Sequence, residues 1–167
     1  MSEKLDGVRA YWDGKTFYSR LGNEFIAPSW FTKNFPTDMT LDGELFGGRG
    51  KFQSTVSIVK TAGSGRWSEV KYFIFDAPGV KKPFEERLEA IHDYFDPKSV
   101  KMVTVLEHVK CKGEDHLNAE LKKVEARGGE GLMIRKPKSP YEHRRSECLL
   151  KIKTFHDAEV GGIFHIV

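Results

Sequence analysis

The stretch Lys4-Leu5-Asp6-Gly7-Val8-Arg9-Ala10-Tyr11-Trp12-Asp13-Gly14-Lys15-Thr16-Phe17-Tyr18-Ser19-Arg20 decides how the chain folds. Asp13-Gly14 separates two short aromatic-rich runs, 8–12 and 15–20, and Asp-Gly between such runs is the strongest short-range hairpin signal. Leu21-Gly22-Asn23 turns the chain again. Pro28 to Asp38, rich in aromatics and broken by Pro28 and Pro36, reads as a packed loop or short helix. Thr40 to Phe46 reads as a strand ended by Gly47-Gly48-Arg49-Gly50. Phe52, Val56, Val59 and Lys60 fall at helical spacing, which predicts a helix over 51–61. Lys71 to Phe75 alternates as a strand and stops at Asp76-Ala77-Pro78-Gly79. Pro83 opens a helix with Phe84, Leu88, Ile91 and Phe95 on one face, and 101–108 reads as a strand. A further helix from Asp115 to Ala126 turns Leu117, Leu121 and Val124 inward before Gly128-Gly129. Leu132 to Arg135 and Cys148 to Ile152 are β-like, and Ile163, Phe164, Ile166 and Val167 begin another strand. Hairpin-linked strands with inserted helices predict one α+β domain over 1–167, with antiparallel sheets flanked by helices.

Bulk properties narrow the class. Apolar residues make up 39% and charged residues 31%, the balance of an ordinary globular domain. No apolar run approaches the roughly 20 residues of a membrane span, so no membrane partner is expected. Met1-Ser2-Glu3-Lys4 lacks the basic, apolar, small-residue succession of a signal peptide. Net charge is +3, too mild to argue for nucleic acid by itself. Its distribution says more: Arg135, Lys136, Lys138, Arg144, Arg145, Lys151 and Lys153 crowd one stretch against Glu142 and Glu147, a plausible phosphate-binding strip. Cys111 and Cys148 permit one disulfide without requiring it and lack metal-ligand spacing, which leaves the compartment open.

Lys4, one spacer and Asp6-Gly7 match the arrangement of a covalent nucleotidyl-transfer site. There a lysine amine attacks the α-phosphate of a nucleotide and holds it as a phosphoramidate, which requires a neutral amine near pH 7. Asp6-Gly7 would supply a tight turn beside the nucleotide. Behind this motif the polar residues at strand ends form an ordered series. Phe75, one residue before Asp76, could stack on a base, a contact worth about 1–3 kcal/mol. Glu44 could accept hydrogen bonds from ribose hydroxyls. Glu130 could hold Mg²⁺, which usually takes one or two protein carboxylates plus phosphate oxygens. Lys151 and Lys153 alternate onto one side, where they could offset charge on the α-phosphate. Taken singly, Phe75 reads as core, Glu44 and Glu130 as solvated strand ends, and the lysines and Arg20 as surface. The ordered set makes a chance match improbable.

Lys4-Leu5-Asp6-Gly7, Ser19-Arg20-Leu21-Gly22, Leu41-Asp42-Gly43-Glu44, Phe73-Ile74-Phe75-Asp76, Glu130-Gly131-Leu132-Met133-Ile134-Arg135 and Leu149-Leu150-Lys151-Ile152-Lys153 resemble the successive nucleotidyltransferase motifs of ATP-dependent DNA ligases. Ala10-Tyr11-Trp12-Asp13-Gly14 and Ser139-Pro140-Tyr141-Glu142 resemble the small bacterial Lig E type in particular. The resemblance implies an adenylation (nucleotidyltransferase, ATP-grasp-like) domain that uses ATP and Mg²⁺ and acts on nicked double-stranded DNA as a monomer. It implies that Lys4 carries AMP, with Asp6, Lys151 and Lys153 as its catalytic companions. Arg9 and Arg20 would lie near the sugar and the DNA phosphate, Glu44 at the ribose, Phe75 on adenine and Glu130 at the metal. Lys151 and Lys153 would contact the α-phosphate, and Arg135, Arg144 and Arg145 would join Arg9 and Arg20 in holding DNA. Three steps follow from the same resemblance: lysine adenylation, AMP transfer to the 5′-phosphate of a nick, then attack by the 3′-hydroxyl.

Two departures stand out against such ligases. They carry a strand upstream of the lysine, where only Met1-Ser2-Glu3 precede it here. They also continue into an OB-fold domain, so the chain is expected to be an adenylation domain short at both ends, without its OB-fold partner. Two other readings remain open. One is an RNA ligase or capping-type guanylyltransferase, against which Glu130 to Arg135 and the Thr154 to Glu159 continuation argue. The other is a nick-binding module without turnover. The Lig E resemblance implies a bacterial periplasm, with the cytoplasm as the alternative.

Overall fold

The computed structural model describes residues 1–154 and the backbone of 164–166. In chain order its elements are β1 (Ser2–Lys4), β2 (Val8–Trp12), β3 (Phe17–Tyr18), β4 (Glu24–Phe25), α1 (Ser29–Thr32), β5 (Leu41–Phe46), α2 (Phe52–Lys60), β6 (Lys71–Asp76), α3 (Phe84–Phe95), β7 (Val103–Val105), α4 (Glu114–Ala126), β8 (Gly131–Arg135), β9 (Leu149–Ile152) and β10 (Phe164–Ile166). Among the described residues the strands fall into two sheets: a six-stranded one ordered β4-β3-β2-β5-β6-β7 and a four-stranded one ordered β1-β8-β9-β10. The α+β expectation holds.

The β2–β3 hairpin forms as its sequence requires. The Asp13 carboxylate accepts from the backbone N–H groups of Lys15 and Thr16, both at 2.8 Å, and so closes the turn. Trp12 and Phe17 then face one side, where their rings meet edge to face at 5.2 Å. The aromatic segment after Pro28 folds over them: Phe31 and Phe35 join the ring cluster, and Trp12 Nε1 donates to the Pro36 carbonyl at 2.7 Å. Helices α2 and α3 complete this core against β5, β6 and β7. Helix α4 covers the smaller sheet, packing Leu117, Leu121 and Val124 on Leu132 and Ile152 as its spacing predicts.

Several expectations need correction. The 51–61 helix buries Thr55, Ile58 and Val59, whereas Phe52 is exposed. Thr55 can face inward because its hydroxyl donates to Lys51 O and accepts from Gly47 N–H, leaving no unsatisfied polar atom. In α3 the buried positions include Arg87, and Leu88 is only half-buried. Only Val103–Val105 of the expected 101–108 strand pairs, and it pairs parallel to β6 through the α3 crossover. Residues 2–4, read only as the approach to the lysine motif, form a strand paired with β8. The strand expected near 163–167 is present as β10 beside β9, while Ile163 and Val167 lie outside the described residues.

The two sheets face each other across a cleft. In β6, Tyr72 and Ile74 enter the aromatic core, so Phe73 and Phe75 turn to the opposite side. A β-bulge between Asp42 and Gly43 pairs Asp42 with Asp76 and Gly43 with Ile74. Phe75 is thereby left as the extra residue on β6.

Candidate active site

Cross-strand register assembles one wall of the cleft from the smaller sheet. Lys4 pairs with Gly131 on one side, and Ser2, Met133 and Lys151 lie in one row across β1, β8 and β9. Paired residues share a face, so Lys4 and Lys151 rise on the same side, and Lys153 follows by alternation. Gly131 is needed here: a Cβ on it would sit 2.2 Å from the Ile152 carbonyl oxygen and 2.9 Å from Lys153 Cβ. The bare backbone lets the Lys153 stem cross. Lys4 Nζ donates to Glu130 Oε2 at 2.7 Å, and Lys153 Nζ donates to Glu130 Oε1 at 3.4 Å. One carboxylate thus holds two of the three candidate lysines.

The larger sheet supplies the opposite wall. Arg9 pairs with Glu44 across β2 and β5, and Glu44 with Phe73 across β5 and β6. Gly7 N–H donates to Glu44 Oε1 at 3.2 Å, a close approach that a Cβ on Gly7 would block, 2.8 Å from Glu44 Cγ. Burial pushes the Glu44 carboxyl up to about 7, outweighing Lys4, the Gly7 N–H and Arg9, which favour its charged form. Arg9 lies 5.8 Å from the centre of the Phe75 ring. Together these walls enclose a cavity of ~210 Å³ lined by Lys4, Arg9, Glu44, Phe75, His108 and Arg135, among others.

A second, larger cavity of ~460 Å³ adjoins it, and Arg9, Arg135 and Leu149 line both. Its other side chains include Arg20, Tyr141, Arg144 and Arg145. Buried carboxylates hold the shared arginines. Asp42 accepts from Arg9 Nε at 3.1 Å, from Arg9 Nη2 at 2.7 Å and from the Tyr141 hydroxyl at 2.7 Å. Asp76 accepts from Arg87 at 2.6 and 3.1 Å and lies 3.2 Å from Arg135 Nη2. Burial lowers the Arg135 guanidinium below its ordinary value against the pull of Asp76, whereas Asp42 holds Arg9 protonated more firmly than usual.

The structure therefore brings Lys4, Arg9, Glu44 and Phe75 into one cavity, with Glu130 and Lys153 in contact at the lysine. Lys151 stands opposite Met133, which lines the same cavity. Arg20, Arg144 and Arg145 line the adjoining cavity and not that of Lys4, and Asp6 is exposed and lines neither. Residues 155–159, in the continuation after Lys153, lie outside the described residues. Among the described residues no cluster of three or more His, Cys, Asp or Glu could hold a metal alone. Sequence reasoning passed over His108, Asp42, Asp76, Arg87 and Tyr141 as individual site components. Asp42, Asp76 and Tyr141 sat inside recognised motifs, whereas nothing local marks His108.

Comparison with known proteins accords with this geometry. A family model described as the ATP dependent DNA ligase domain matches residues 1–153. A DNA ligase of Haemophilus influenzae is 37% identical over 165 residues, covering 99% of this chain and 61% of that protein. A solved structure of the Lig E DNA ligases superposes with a TM-score of 0.85 at 38% identity, covering 92% of this chain and 60% of that one. Chlorella virus DNA ligase-adenylate does so with a TM-score of 0.79 at 27% identity, covering 94% and 62%. The chain spans about three fifths of the length of these relatives. The ordered motifs, the paired sheets and the match over nearly all its length place the chain in one family, that of the ATP-dependent DNA ligase domain.

Proposed function

We propose that this chain is the adenylation domain of an ATP-dependent DNA ligase, one domain over 1–167 that acts as a monomer together with an OB-fold domain. Its reaction would run from a lysyl-AMP, through AMP transfer to the 5′-phosphate of a DNA nick, to phosphodiester sealing. The observation that carries this reading is the single cavity holding Lys4, Glu44 and Phe75, with Glu130 and Lys153 in contact at the lysine.

In the first step the Lys4 ammonium passes a proton to solvent, its lone pair attacks the α-phosphorus of ATP, and the nitrogen gives up a second proton to solvent as the phosphoramidate forms. The N–P bond forms as the bond to the β-phosphate oxygen breaks, and pyrophosphate leaves with its electron pair. Glu130, 2.7 Å from Nζ, holds the amine. Lys151 and Lys153, on the Lys4 side of the smaller sheet, face the charge that develops on the phosphate. Phe75 offers a ring face to the base, and Glu44 a carboxylate to the ribose.

Mg²⁺ would meet one carboxylate here, Glu130, whose oxygens contact Lys4 and Lys153, and would take its remaining ligands from phosphate oxygens and water. When bound it would neutralise and orient the phosphates. In the second step the nick phosphate would enter the adjoining cavity, where Arg20, Arg144 and Arg145 gather cationic charge beside the shared Arg9 and Arg135. The third step replaces the AMP–phosphate bond by one to the 3′-oxygen and releases AMP.

Intact mass after incubation with ATP and Mg²⁺ tests the proposal. An added AMP that is absent in Lys4→Ala and not replaced by GMP from GTP is the expected result. Sealing of nicked DNA over nicked RNA, scored from a pre-adenylated nick, then tests the later steps. Wild-type protein that neither takes up AMP nor seals a pre-adenylated nick refutes the reading.

A further inference from the structure

His108 lines the Lys4 cavity and takes no part in the steps above. Its Nδ1 lies 2.8 Å from the Leu106 carbonyl oxygen. A carbonyl only accepts, so Nδ1 must carry the proton, and the tautomer is fixed with a lone pair on Nε2. Burial favours the same neutral form, pushing the imidazole down to about 4. The ring is also held edge to face against Phe84 at 5.1 Å, and Phe84 in turn stacks under the Arg135 guanidinium at 4.6 Å. Among the described residues Nε2 has no hydrogen-bond partner, and it is not one of the closed-off polar atoms. A rigid imidazole thus presents an obligate acceptor in the cavity wall.

Its place in the cavity matters as much. Val109 N–H donates to Met1 O at 2.8 Å, which sets the 106–109 segment beside the start of β1. Lys4 lies at the other end of that strand, and Ser2, which lines the same cavity, is two residues back, about 7 Å along an extended chain. A nucleotide with its α-phosphate at Lys4 and its base extended along β1 would meet Ser2 and His108. Glu3, also in the lining, is occupied by a bidentate pair with Arg49. The Ser2 hydroxyl can donate or accept and so does not discriminate. His108 does.

We propose that His108 is a base-selecting residue whose Nε2 lone pair accepts a hydrogen bond from the exocyclic amine of a 6-aminopurine nucleotide bound in the Lys4 cavity. A 6-oxopurine would set its own oxygen lone pairs against that nitrogen. A purine without a 6-substituent would leave the nitrogen unpaired in a partly buried site. The inference deepens the ATP-dependent reading and rests on it.

The test is equilibrium binding of AMP, purine riboside 5′-monophosphate and GMP to the whole chain, read by calorimetry for wild type, His108→Leu and His108→Gln. Wild type is expected to bind AMP about five- to tenfold more tightly than the riboside that lacks the amine, the worth of one neutral hydrogen bond. In His108→Leu that preference falls to about one, and in His108→Gln, whose carbonyl oxygen also accepts, it is restored. An unchanged preference in His108→Leu, with Gln no different from Leu, overturns the proposal. Adduct mass with ATP, recorded in parallel, separates the two ideas. An AMP adduct without any effect of His108 on preference sinks the base-selecting role alone. A His108-dependent preference for AMP, with neither an adduct nor sealing of a pre-adenylated nick, supports that role and sinks the transfer chemistry.

Discussion

Glu44 and His108 share one cavity but titrate in opposite senses, and the pH dependence of stability should expose both. Folding raises Glu44 from 4.5 to about 7, so between those values the folded chain holds a proton that the unfolded chain has lost. Stability then falls as pH rises through that window. A carboxyl that titrates near 7 instead of 4.5 is about 3 kcal/mol harder to ionise, and that is the expected loss. Folding lowers His108 from 6.5 to about 4, so between these values the unfolded chain holds the extra proton. Stability therefore rises with pH, again by about 3 kcal/mol. The two contributions nearly cancel between pH 4.5 and 6.5 in the wild type. Each variant should unmask the other group. Glu44→Gln should gain about 3 kcal/mol relative to its own value at low pH as pH rises from 4 to 6.5. His108→Gln should lose a similar amount from 4.5 to 7. Urea titrations at half-unit pH intervals measure this directly. Parallel profiles for wild type and both variants would refute the reasoning.

Asp76→Ala should destabilise the fold by about 3–5 kcal/mol in urea, because it strands the fully buried Arg87 guanidinium; a loss below 1 kcal/mol would show that water reaches the site. Gly131→Ala drives a methyl against the Ile152 carbonyl and Lys153 Cβ, so it should cost roughly 1–3 kcal/mol and slow AMP uptake at Lys4 by displacing Lys153. Unchanged melting and uptake would mean that β8 and β9 adjust freely. Arg144→Ala and Arg145→Ala should each reduce the slope of log K against log salt for nicked DNA by about 1, measured by fluorescence anisotropy. A slope identical to wild type removes the adjoining cavity from the DNA path.

What was legible in the sequence is what local chemistry determines. Asp13-Gly14 closes the hairpin through bonds within four residues, and Leu117, Leu121 and Val124 repeat at helical spacing on the face that packs on Leu132 and Ile152. Lys4, Glu44 and Phe75 were legible as a set because their order along the chain carries information that none carries alone. What escaped depends on partners far away. Ser2-Glu3-Lys4 has no β-signature and becomes a strand only through β8, nearly 130 residues later. Arg87 looks like a surface residue of α3 until Asp76 and the Ser139 carbonyl receive it, the latter at 2.8 Å. His108 sits where a strand was expected, and its role arises from a tautomer fixed by a carbonyl two residues away. The parallel β6–β7 pair was within reach, since the order strand, helix, strand over 71–105 is that of a crossover between parallel strands.

One ion pair and one hydrogen bond between the sheets bear on why the cleft stays open. Two sheets that met through apolar side chains would close until those side chains interdigitated. Here β8 instead meets β6 through Arg135 and Asp76, and the segment after β8 meets β5 through Tyr141 and Asp42. Buried pairs of this kind contribute little net stability compared with apolar contacts of equal volume, so stability alone does not account for them. They do fix position. Asp42 grips Arg9 through two nitrogens, and Asp76 and the Phe84 ring confine Arg135, so both guanidinium groups are held in the wall that the two cavities share. A flexible lysine at either place would swing toward whichever anion arrived first. A forked, pre-paired arginine can face a nucleotide phosphate on one side and a second phosphate on the other without reorganising. That would suit the proposed reaction, in which an adenylyl group passes from Lys4 to a second phosphate.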